Sequence, residues 1–218
     1  MRNKFDEQLE NLHTELLEMG VLLEQGIKMS NNSLIQQNKE FAQKAIEIEK
    51  DVDDKERKIE NFCLKLLLQQ QPVAKDLRVI SSALKMITDM ERIGDQIADI
   101  SEIILHLIGS SYINKIPLLP QMAEATGKMI TGAIDAFVNG DIEKAKNVIK
   151  MDDIVDELFF LIKKEIIDLI KTDNLVGDYV FDFLMIAKYY ERIGDHSVNI
   201  AEWVLFSITG EHKGKNSL

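Results

Sequence analysis

The sequence predicts an all-α protein made of two tandem antiparallel three-helix bundles related by internal duplication, and three observations support this fold class. Long stretches place apolar residues at the three- and four-residue spacing of a helix. Proline and glycine number only 3 and 11 among 218 residues, which disfavours a turn-rich β protein. The sequence Glu-Arg-Ile-Gly-Asp occurs at 91–95 and again at 191–195, 100 residues later. That period indicates duplication of a domain-sized unit rather than a solenoid repeat.

Three helices are predicted in the first half. The first spans residues 4–38 and continues through the weak stretch at 31–33, and the second extends to residue 70. Gln71-Pro72 then ends it, because proline disfavours a helical residue before it and can open the next helix. The third helix extends to residue 108. The predicted core stripes of the three helices are Leu9, Leu12, Leu16, Met19, Leu23, Ile27 and Leu34; Ile48, Val52, Ile59, Phe62 and Leu66; and Met86, Met90, Ile93, Ile97, Ile100, Ile104 and Ile108.

The same plan repeats after residues 109–120, whose glycine, serine, asparagine and proline residues make them the best linker candidate. A fourth helix over 118–139 is expected to end at Gly140, and Asp141 is expected to cap the fifth, which extends to residue 171. A turn at Thr172-Asp173-Asn174 precedes a sixth helix that ends near residue 208. Because short turns leave neighbouring helices antiparallel, the predicted domains are 1–112 and 113–210, followed by a polar tail at 211–218.

Composition and charge indicate which class of binding partner and which cellular location to expect for this protein. The formal net charge of −11 argues against a nucleic-acid partner, which needs a basic surface. No window approaches the roughly 20 apolar residues of a membrane span, and the N-terminus lacks the apolar stretch of a signal peptide. The expectation is a cytoplasmic protein without direct membrane insertion. Cys63 is the single cysteine and lies in an apolar helical stretch, so a buried small hydrophobe is expected there.

Acidic pairs at a spacing of four mark both halves. Two like charges one turn apart weaken an isolated helix, so their repetition needs a reason. In each half one pair belongs to the repeated pentapeptide, and a second pair lies on the preceding helix. The four pairs are Glu49 and Asp53, Glu91 and Asp95, Asp152 and Asp156, and Glu191 and Asp195.

Counting residues from the turn between the two helices indicates that the two acidic pairs of each half lie at similar positions along the helix axes. Asp53 lies 18 residues before Gln71 and Glu91 lies 20 after it, so in an antiparallel hairpin their heights differ by about 3 Å. In the second half the corresponding pair lies 17 and 18 residues from the turn at 173. At about 100° per residue, Glu91 and Asp95 face away from the apolar stripe. The carboxylates are therefore expected at the bundle surface, along the seam of two helices.

Four neighbouring carboxylates repel one another unless protons or cations compensate. Hard oxygen ligands suit Mg, Ca, Mn or Fe, and also Zn with carboxylate ligands, and bridging carboxylates suit more than one ion. The alternative is that these are ordinary solvated helix faces, neutralised by Arg92, Arg192, Lys50 and Lys188. Both interpretations remain open at this point.

Gly94 and Gly194 lie in mid-helix, where glycine costs roughly 1 kcal/mol relative to alanine. They allow a close approach of helices beside the acidic site, or serve tight bundle packing alone. Glu10-x-x-His13 has the spacing of di-iron bundle proteins, but those need two such motifs and the second half has none. His106 and His196 are weaker ligand candidates, and no catalytic Ser-His-Asp set or nucleotide-binding glycine loop is present.

Four stretches resemble the PhoU family of bacterial phosphate-uptake regulators, and the resemblance covers nearly the whole chain. They are Gln71–Arg78, Met90–Asp95, Asp152–Leu158 and Ile186–Glu202. The resemblance implies two three-helix bundles with pseudo-twofold symmetry and surface metal clusters, with iron or zinc as the expected metal. The implied ligands are Glu49, Asp53, Glu91 and Asp95 in the first cluster, and Asp152, Asp156, Glu191 and Asp195 in the second.

The resemblance also implies a function. The chain would be a regulator rather than an enzyme, and it would repress the phosphate-starvation response. It would do so by contacting the ATPase of the phosphate ABC transporter and a sensor histidine kinase, and it would form a homodimer. The alternative from the residues themselves is a carboxylate-bridged metalloenzyme, a hydrolase or oxidase, which needs an open metal position inside a cleft.

Overall fold

In the computed structural model, residues 2–70, 73–173 and 177–211 are described, and they form six α-helices and no strand. The predicted all-α class is confirmed. The helices are α1 (Arg2–Gln36), α2 (Lys39–Gln70), α3 (Ala74–Leu107), α4 (Leu119–Asn139), α5 (Ile142–Thr172) and α6 (Gly177–Thr209). None of these helices is long and apolar enough to cross a membrane.

The local signals at the helix ends act as predicted. Gly140 follows α4 with a left-handed φ of 61°, a conformation that glycine adopts without steric cost. Asp141 Oδ1 then accepts a hydrogen bond of 3.0 Å from the backbone N–H of Lys144 and caps α5. Between α1 and α2, Asn38 Oδ1 accepts the backbone N–H of Glu40 at 2.9 Å. Short local turns therefore set the antiparallel order of the helices.

Some predicted breaks lie outside the described residues. These are Gln71-Pro72, Asn174 of the second turn and the tail beyond Glu211. On either side of the first break, α2 ends at Gln70 and α3 begins at Ala74. The division into domains at 112/113 remains a prediction, although the segment between α3 and α4 separates three helices from three.

The two halves pack into one hydrophobic core. Within the halves α2 lies on α1 and α3, and α5 lies on α4 and α6; between them α1 packs on α4 and α3 packs on α6. The predicted stripes are buried along most of their length, while Leu9, Ile48, Phe62 and Ile108 are half-buried against the core. Cys63 is fully buried as predicted, and burial raises the pKa of its thiol to about 12.

An approximate twofold axis passes between α3 and α6, the helices that carry the repeated pentapeptide. Asn199 Nδ2 donates to Asp89 Oδ1 at 3.1 Å, and burial together with the nearby Asp99 carboxylate raises the pKa of the Tyr189 hydroxyl. Adding or subtracting 100 in the numbering converts the first of these pairs into the second. The two helices therefore cross antiparallel near Gly94 and Gly194, and each pentapeptide lies beside its copy.

Candidate functional site

The first acidic cluster forms where α2 and α3 face each other. One carboxylate oxygen each of Glu49, Asp53 and Asp95 lies within 4.8 Å of the other two. All three side chains are half-buried at the surface seam, as the helical register predicts. The helices can approach closely because α3 has glycine at position 94, where a Cβ would lie only 3.1 Å from Val52 Cγ1.

Electrostatics in this cluster disfavour the fully charged state. Burial, together with the charges of Asp53 and Asp95, raises the pKa of Glu49. Burial also raises the pKa of Asp95; Arg92 opposes this shift, and Asp53 adds to it. Carboxyl groups with raised pKa values hold protons more tightly than free ones, and a bound cation compensates the same repulsion.

Glu91, the fourth predicted ligand, lies next to this group but is not part of the three-way convergence found among the described residues. Burial and the charge of Asp95 raise its pKa. Arg92 lies close to both carboxylates, with Nε 3.4 Å from Glu91 and Nη1 3.2 Å from Asp95. On the other side, Arg57 Nη2 lies 3.3 Å from Asp53, a contact that the sequence analysis did not predict, although Arg57 follows Asp53 at the favourable spacing of four.

The second cluster joins α5 and α6 and is centred on Asp152. Burial, followed by the charges of Asp156 and Asp195, raises the pKa of Asp152 to about 6. Its Oδ1 lies 3.2 Å from the position of a Cβ on Gly194, so glycine there makes room for the carboxylate. Both glycines therefore allow a close approach of helices beside an acidic cluster: Gly94 packs against Val52, and Gly194 against Val155 and the Asp152 carboxylate.

The second cluster is more open than the first. Asp156 and Asp195 are exposed, and the four carboxylates are not among the groups of described residues whose oxygens converge within 4.8 Å. Lys188 forms an ion pair with Glu191, and its ammonium also lies 5.7 Å from the centre of the Phe159 ring. Arg92 and Lys188 thus neutralise cluster carboxylates, as the alternative interpretation expected, but Lys50 and Arg192 form no ion pair within 4.0 Å among the described residues.

The histidines have other partners. His196 Nδ1 lies 2.8 Å from Asp89 Oδ1 and links α6 to α3 across the two halves. His13 packs edge-on against Phe137, with ring centres 5.1 Å apart, and burial lowers its pKa. The Glu10-x-x-His13 spacing therefore places its histidine against an aromatic core residue.

A cleft of about 790 Å³ lies between α1 and α4, where small residues of α4 leave room beside α1. Its lining includes Lys28, Asn31, Gly127 and Thr131 and shares no residue with either carboxylate cluster. A metalloenzyme would need such a cleft at the metal, and this cleft belongs to a different pair of helices.

The donor chemistry of both clusters fits a hard or borderline cation. Every candidate ligand is a carboxylate, the ligand type that Mg²⁺, Ca²⁺, Mn²⁺ and iron take readily and that zinc accepts. In the first cluster the three oxygens already converge, so a cation would replace proton binding as the means of relieving repulsion. The second cluster has the same donors with wider separation.

Replacing Asp152 by asparagine is expected to stabilise the metal-free protein at pH 8 by about 1 kcal/mol, a value reduced for solvent screening. The folded chain holds the Asp152 proton up to about pH 6, whereas the unfolded value is 3.8. Unfolding free energy therefore falls as pH rises from about 4 to about 6, and the charge repulsion remains above that range. Denaturant unfolding in chelator at pH 8 and pH 4 measures the effect, which should vanish at pH 4.

The Glu157→Gln variant is the control, because Glu157 is exposed, whereas the charges that raise the pKa of Asp152 come from Asp156, Asp195, Asp153 and Glu191. An equal gain in both variants would show that net charge, rather than the local cluster, sets the effect.

Comparisons with known proteins match both halves and the whole architecture. A family model described as "PhoU domain" matches residues 16–104 and again 119–204, which confirms the internal duplication. A Clostridium acetobutylicum protein named as a homologue of the phosphate-specific transport system accessory protein PhoU is 36% identical over 216 residues, or 99% of each chain. A Pseudomonas aeruginosa homologue of the same description is 32% identical, over 95% of this chain and 86% of the relative.

Two crystal structures share the fold. PhoU from Pseudomonas aeruginosa superposes with a TM-score of 0.89 and 31% identity, over 95% of this chain and all of that one. The phosphate transport system regulatory protein PhoU from Streptococcus pneumoniae superposes with a TM-score of 0.88 and 28% identity, over 96% and 99% of the two chains. The six-helix arrangement described here is therefore that of these proteins.

Proposed function

This chain belongs to the PhoU family, and from that membership we propose that it is a regulatory accessory protein of phosphate-specific transport. The observation that carries the proposal is the match over nearly the full length of both this chain and its relatives, which are named as accessory proteins of that transport system. The duplicated pentapeptide and its acidic partners lie within the two matched regions. The chain thus keeps both halves of the family's architecture.

The proposed action is by protein contact rather than by catalysis. The partners are the ATPase of the phosphate ABC transporter and a sensor histidine kinase, both engaged on the cytoplasmic side of the membrane. Through these contacts the chain represses the phosphate-starvation response when phosphate is sufficient. It acts as a homodimer in this proposal.

Metal binding at the two seams is the second part of the proposal. The ligands are Glu49, Asp53, Glu91 and Asp95 in the first cluster, and Asp152, Asp156, Glu191 and Asp195 in the second. Iron or zinc is the proposed metal, and the donor set also suits Mg, Mn or Ca. Bound cations would neutralise the carboxylates that now raise one another's pKa values.

Deleting the gene in its native host is expected to leave phosphate-responsive promoters active in high-phosphate medium. A promoter reporter and uptake of radiolabelled phosphate measure the result, and a plasmid copy of the wild-type gene should restore repression. If reporter activity and uptake are the same with and without the chain at both high and low phosphate, the proposed regulatory function is wrong.

A further inference from the structure

The end of the α2–α3 hairpin combines exposed apolar side chains with unpaired positive charge. Lys65 and Lys75 are exposed there, one on each helix. Four apolar residues near them are also exposed: Leu64 (46%), Leu68 (84%), Val73 (58%) and Leu77 (47%). We call these six residues the hairpin tip. Single exposed apolar residues are common on protein surfaces, but a contiguous group is typical of an interaction site.

Helical register places the leucines of the tip on one side of the hairpin. Leu64 follows Asp53 by 11 residues and Leu77 precedes Asp95 by 18, which are three and five helical turns to within about 20°. Both leucines therefore continue, toward the end of the hairpin, the helix faces on which the carboxylates of Asp53 and Asp95 converge. Leu68 lies one turn beyond Leu64 on the same helix.

The two helices also bring these residues to the same level. The close approach of α3 to α2 is at Gly94, where a Cβ would lie 3.1 Å from Val52 Cγ1. Leu68 lies 16 residues beyond Val52, and Leu77 lies 17 before Gly94, so their heights in this antiparallel pair agree within about 2 Å. Val73 begins α3 beside them, and its carbonyl accepts the backbone N–H of Leu77 at 2.9 Å. The apolar side chains thus form one surface at the hairpin end.

This end of the hairpin is positively charged on a chain that is strongly acidic. Residues 61–88 contain four basic residues and one acidic residue, a net charge of +3, so the rest of the chain carries −14 of the total of −11. Asp76, the acidic residue, is half-buried in the first turn of α3, where the helix dipole favours a negative charge. Among the described residues, no ion pair within 4.0 Å includes any of the four basic residues, which are Lys65, Lys75, Arg78 and Lys85.

The neighbouring helix ends do not cancel this charge. α1 begins at the same end of the molecule, and the first seven residues of the chain contain two basic and two acidic residues. α6 ends here as well, since a Cβ on Gly210 would lie 3.5 Å from the Arg78 side chain. In sequence, the residues from 210 onward contain two lysines and one glutamate. None of these segments therefore carries a net negative charge.

The second hairpin shows that the fold does not require a basic end. Aligned on the acidic pairs, residues 164–188 correspond to 61–88, and they contain three basic and five acidic residues, a net charge of −2. This α5–α6 hairpin forms the same antiparallel pair of helices, and Ile167 and Phe181 are exposed on it. Exposed apolar residues are thus common to both hairpins, whereas their combination with positive charge belongs to the first hairpin alone.

From this combination we propose that the hairpin tip docks on an anionic lipid bilayer, with its apolar side chains among the lipid headgroups and its lysines against the lipid phosphates. Surfaces of this kind gain from the burial of apolar area and from attraction to anionic lipids. Lysine suits the border of such a surface, because its stem covers apolar area while its ammonium group stays at the level of the phosphates. The inference goes beyond the proposed function, which concerns protein partners, and does not depend on it.

The distribution of charge along the hairpin sets the orientation on the bilayer. Asp53 of the first carboxylate cluster lies 15 residues from Leu68, or about 22 Å along α2. Glu60 is the last acidic residue of α2 before the tip, and it lies 8 residues from Leu68, or about 12 Å. Both distances exceed the Debye length of about 8 Å at physiological ionic strength. The tip can therefore reach lipid phosphates end-on while these carboxylates are screened from them.

The shape of the tip also favours a bilayer over an acidic protein. The tip is the end of a two-helix hairpin, and the cleft described above lies between a different pair of helices, α1 and α4. A protein partner would place its anchoring side chains in pockets of matching shape. A fluid bilayer needs no matching shape, so an exposed apolar end with basic residues is sufficient for it.

The test measures sedimentation of the purified full-length chain with vesicles of phosphatidylcholine, either alone or mixed with phosphatidylglycerol. Chelator is present throughout, so that divalent ions cannot bridge carboxylates to lipid phosphates. We expect the chain to bind the mixed vesicles, to bind phosphatidylcholine alone at least tenfold more weakly, and to lose affinity as salt concentration rises.

Two tip variants separate the contributions of charge and of apolar area. Lys65→Glu with Lys75→Glu should weaken binding to the mixed vesicles more than tenfold and remove most of its salt dependence. Leu68→Ser with Leu77→Ser should also weaken binding more than tenfold while leaving the salt dependence in place.

The second hairpin supplies the matched controls. Lys163→Glu with Lys164→Glu makes the same change of charge, and Ile167→Ser with Phe181→Ser removes exposed apolar side chains in the same way. Both control variants should bind within about twofold of the wild type. Equal unfolding midpoints for all variants establish that the substitutions act on binding, as expected for exposed positions.

A fluorescent label reports the contact directly. Cys63 is fully buried, so a thiol-reactive, polarity-sensitive dye attaches selectively to an exposed cysteine introduced by Leu68→Cys. Its emission should shift to the blue when mixed vesicles are added, because the dye enters the headgroup region. The same dye on Phe181→Cys, at an exposed position of the second hairpin, should show no shift.

The outcomes decide between the bilayer and other occupants. Absence of binding to the mixed vesicles at low salt, or tip variants that bind them as the wild type does, would overturn the proposal. If the tip variants lose affinity for the phosphate transporter in nanodiscs while vesicle binding is unchanged, an acidic protein surface replaces the bilayer. Because the vesicles contain no protein, a failure here leaves the proposed regulatory function standing, and the gene deletion tests that function separately.

Discussion

Replacing Gly94 by valine is expected to force α2 and α3 apart and to lower the free energy of unfolding by about 3 kcal/mol. A Cβ at this position already lies 3.1 Å from Val52 Cγ1, and the two γ-methyl groups of valine would need space that fully buried Val52 occupies. Because Gly94 is flanked by Ile93 and Asp95, the same displacement should separate Asp95 from Glu49. Denaturant unfolding followed by circular dichroism measures the loss of stability.

The alanine variant at the same position is the informative control. Its single methyl group needs a shift of a few tenths of an ångström at Val52, while replacing a mid-helix glycine by alanine contributes roughly 1 kcal/mol of helix stability. We therefore expect Gly94→Ala to remain near wild-type stability. A valine variant as stable as the alanine variant would contradict the close packing of α2 on α3.

Most of the fold was predictable because it depends on local signals. Apolar periodicity places the helices, and Gly140 with Asp141 marks a boundary that needs no tertiary information. The end of α1 was less predictable, since the left-handed residue there is Gln37, with a φ of 52°, rather than a glycine or asparagine. The weak stretch before it stays helical, and within it Ser33 is buried and donates to the Ser30 carbonyl at 2.6 Å.

The sequence predicted the positions of the candidate ligands along the helix axes but not the conformations of their side chains. Counting residues from the turn paired Asp53 with Glu91 and Glu49 with Asp95, because rise per residue is nearly constant in helices, and three of these four carboxylates do converge. Side-chain conformation is not set by register, and Glu91 lies within reach of Arg92 instead of completing the convergence. The cluster therefore has three converging members, where four were expected from the sequence.

Contacts between the halves were not predictable from the sequence. The hydrogen bond between His196 and Asp89 joins residues 107 positions apart, and no short turn fixes how α3 meets α6. Its counterpart by pseudo-symmetry would join Gln96 to Tyr189, and Gln96 Oε1 is buried without a hydrogen-bond partner among the described residues. The two halves thus resemble each other closely in their backbones and less closely in the polar side chains that lie between them.

The second large expected effect is the loss of metal binding when the first cluster is neutralised. In the double variant Asp53→Asn with Asp95→Asn, the affinity of the first cluster for zinc or iron(II) should fall more than 100-fold. Two of the three converging carboxylates are then neutral amides, which ligate transition metals weakly and no longer balance the charge of a divalent ion. Equilibrium dialysis with elemental analysis measures stoichiometry and affinity together.

The matched control is Glu143→Gln with Asp168→Asn, which removes two negative charges from exposed residues that pair with Lys146 and Lys171 rather than with the cluster. It reports how much of any loss comes from net charge alone, and we expect its affinity to stay within threefold of the wild type. Unchanged binding in the cluster variant would show that the converging carboxylates at the α2–α3 seam are not a metal site.

The Asp53→Asn, Asp95→Asn variant also loses the repulsion between these carboxylates, so it should be more stable than the metal-free wild type. If the fold needs these carboxylates for packing, the variant would instead be less stable. The sign of the stability change thus separates a ligand role for Asp53 and Asp95 from a structural one.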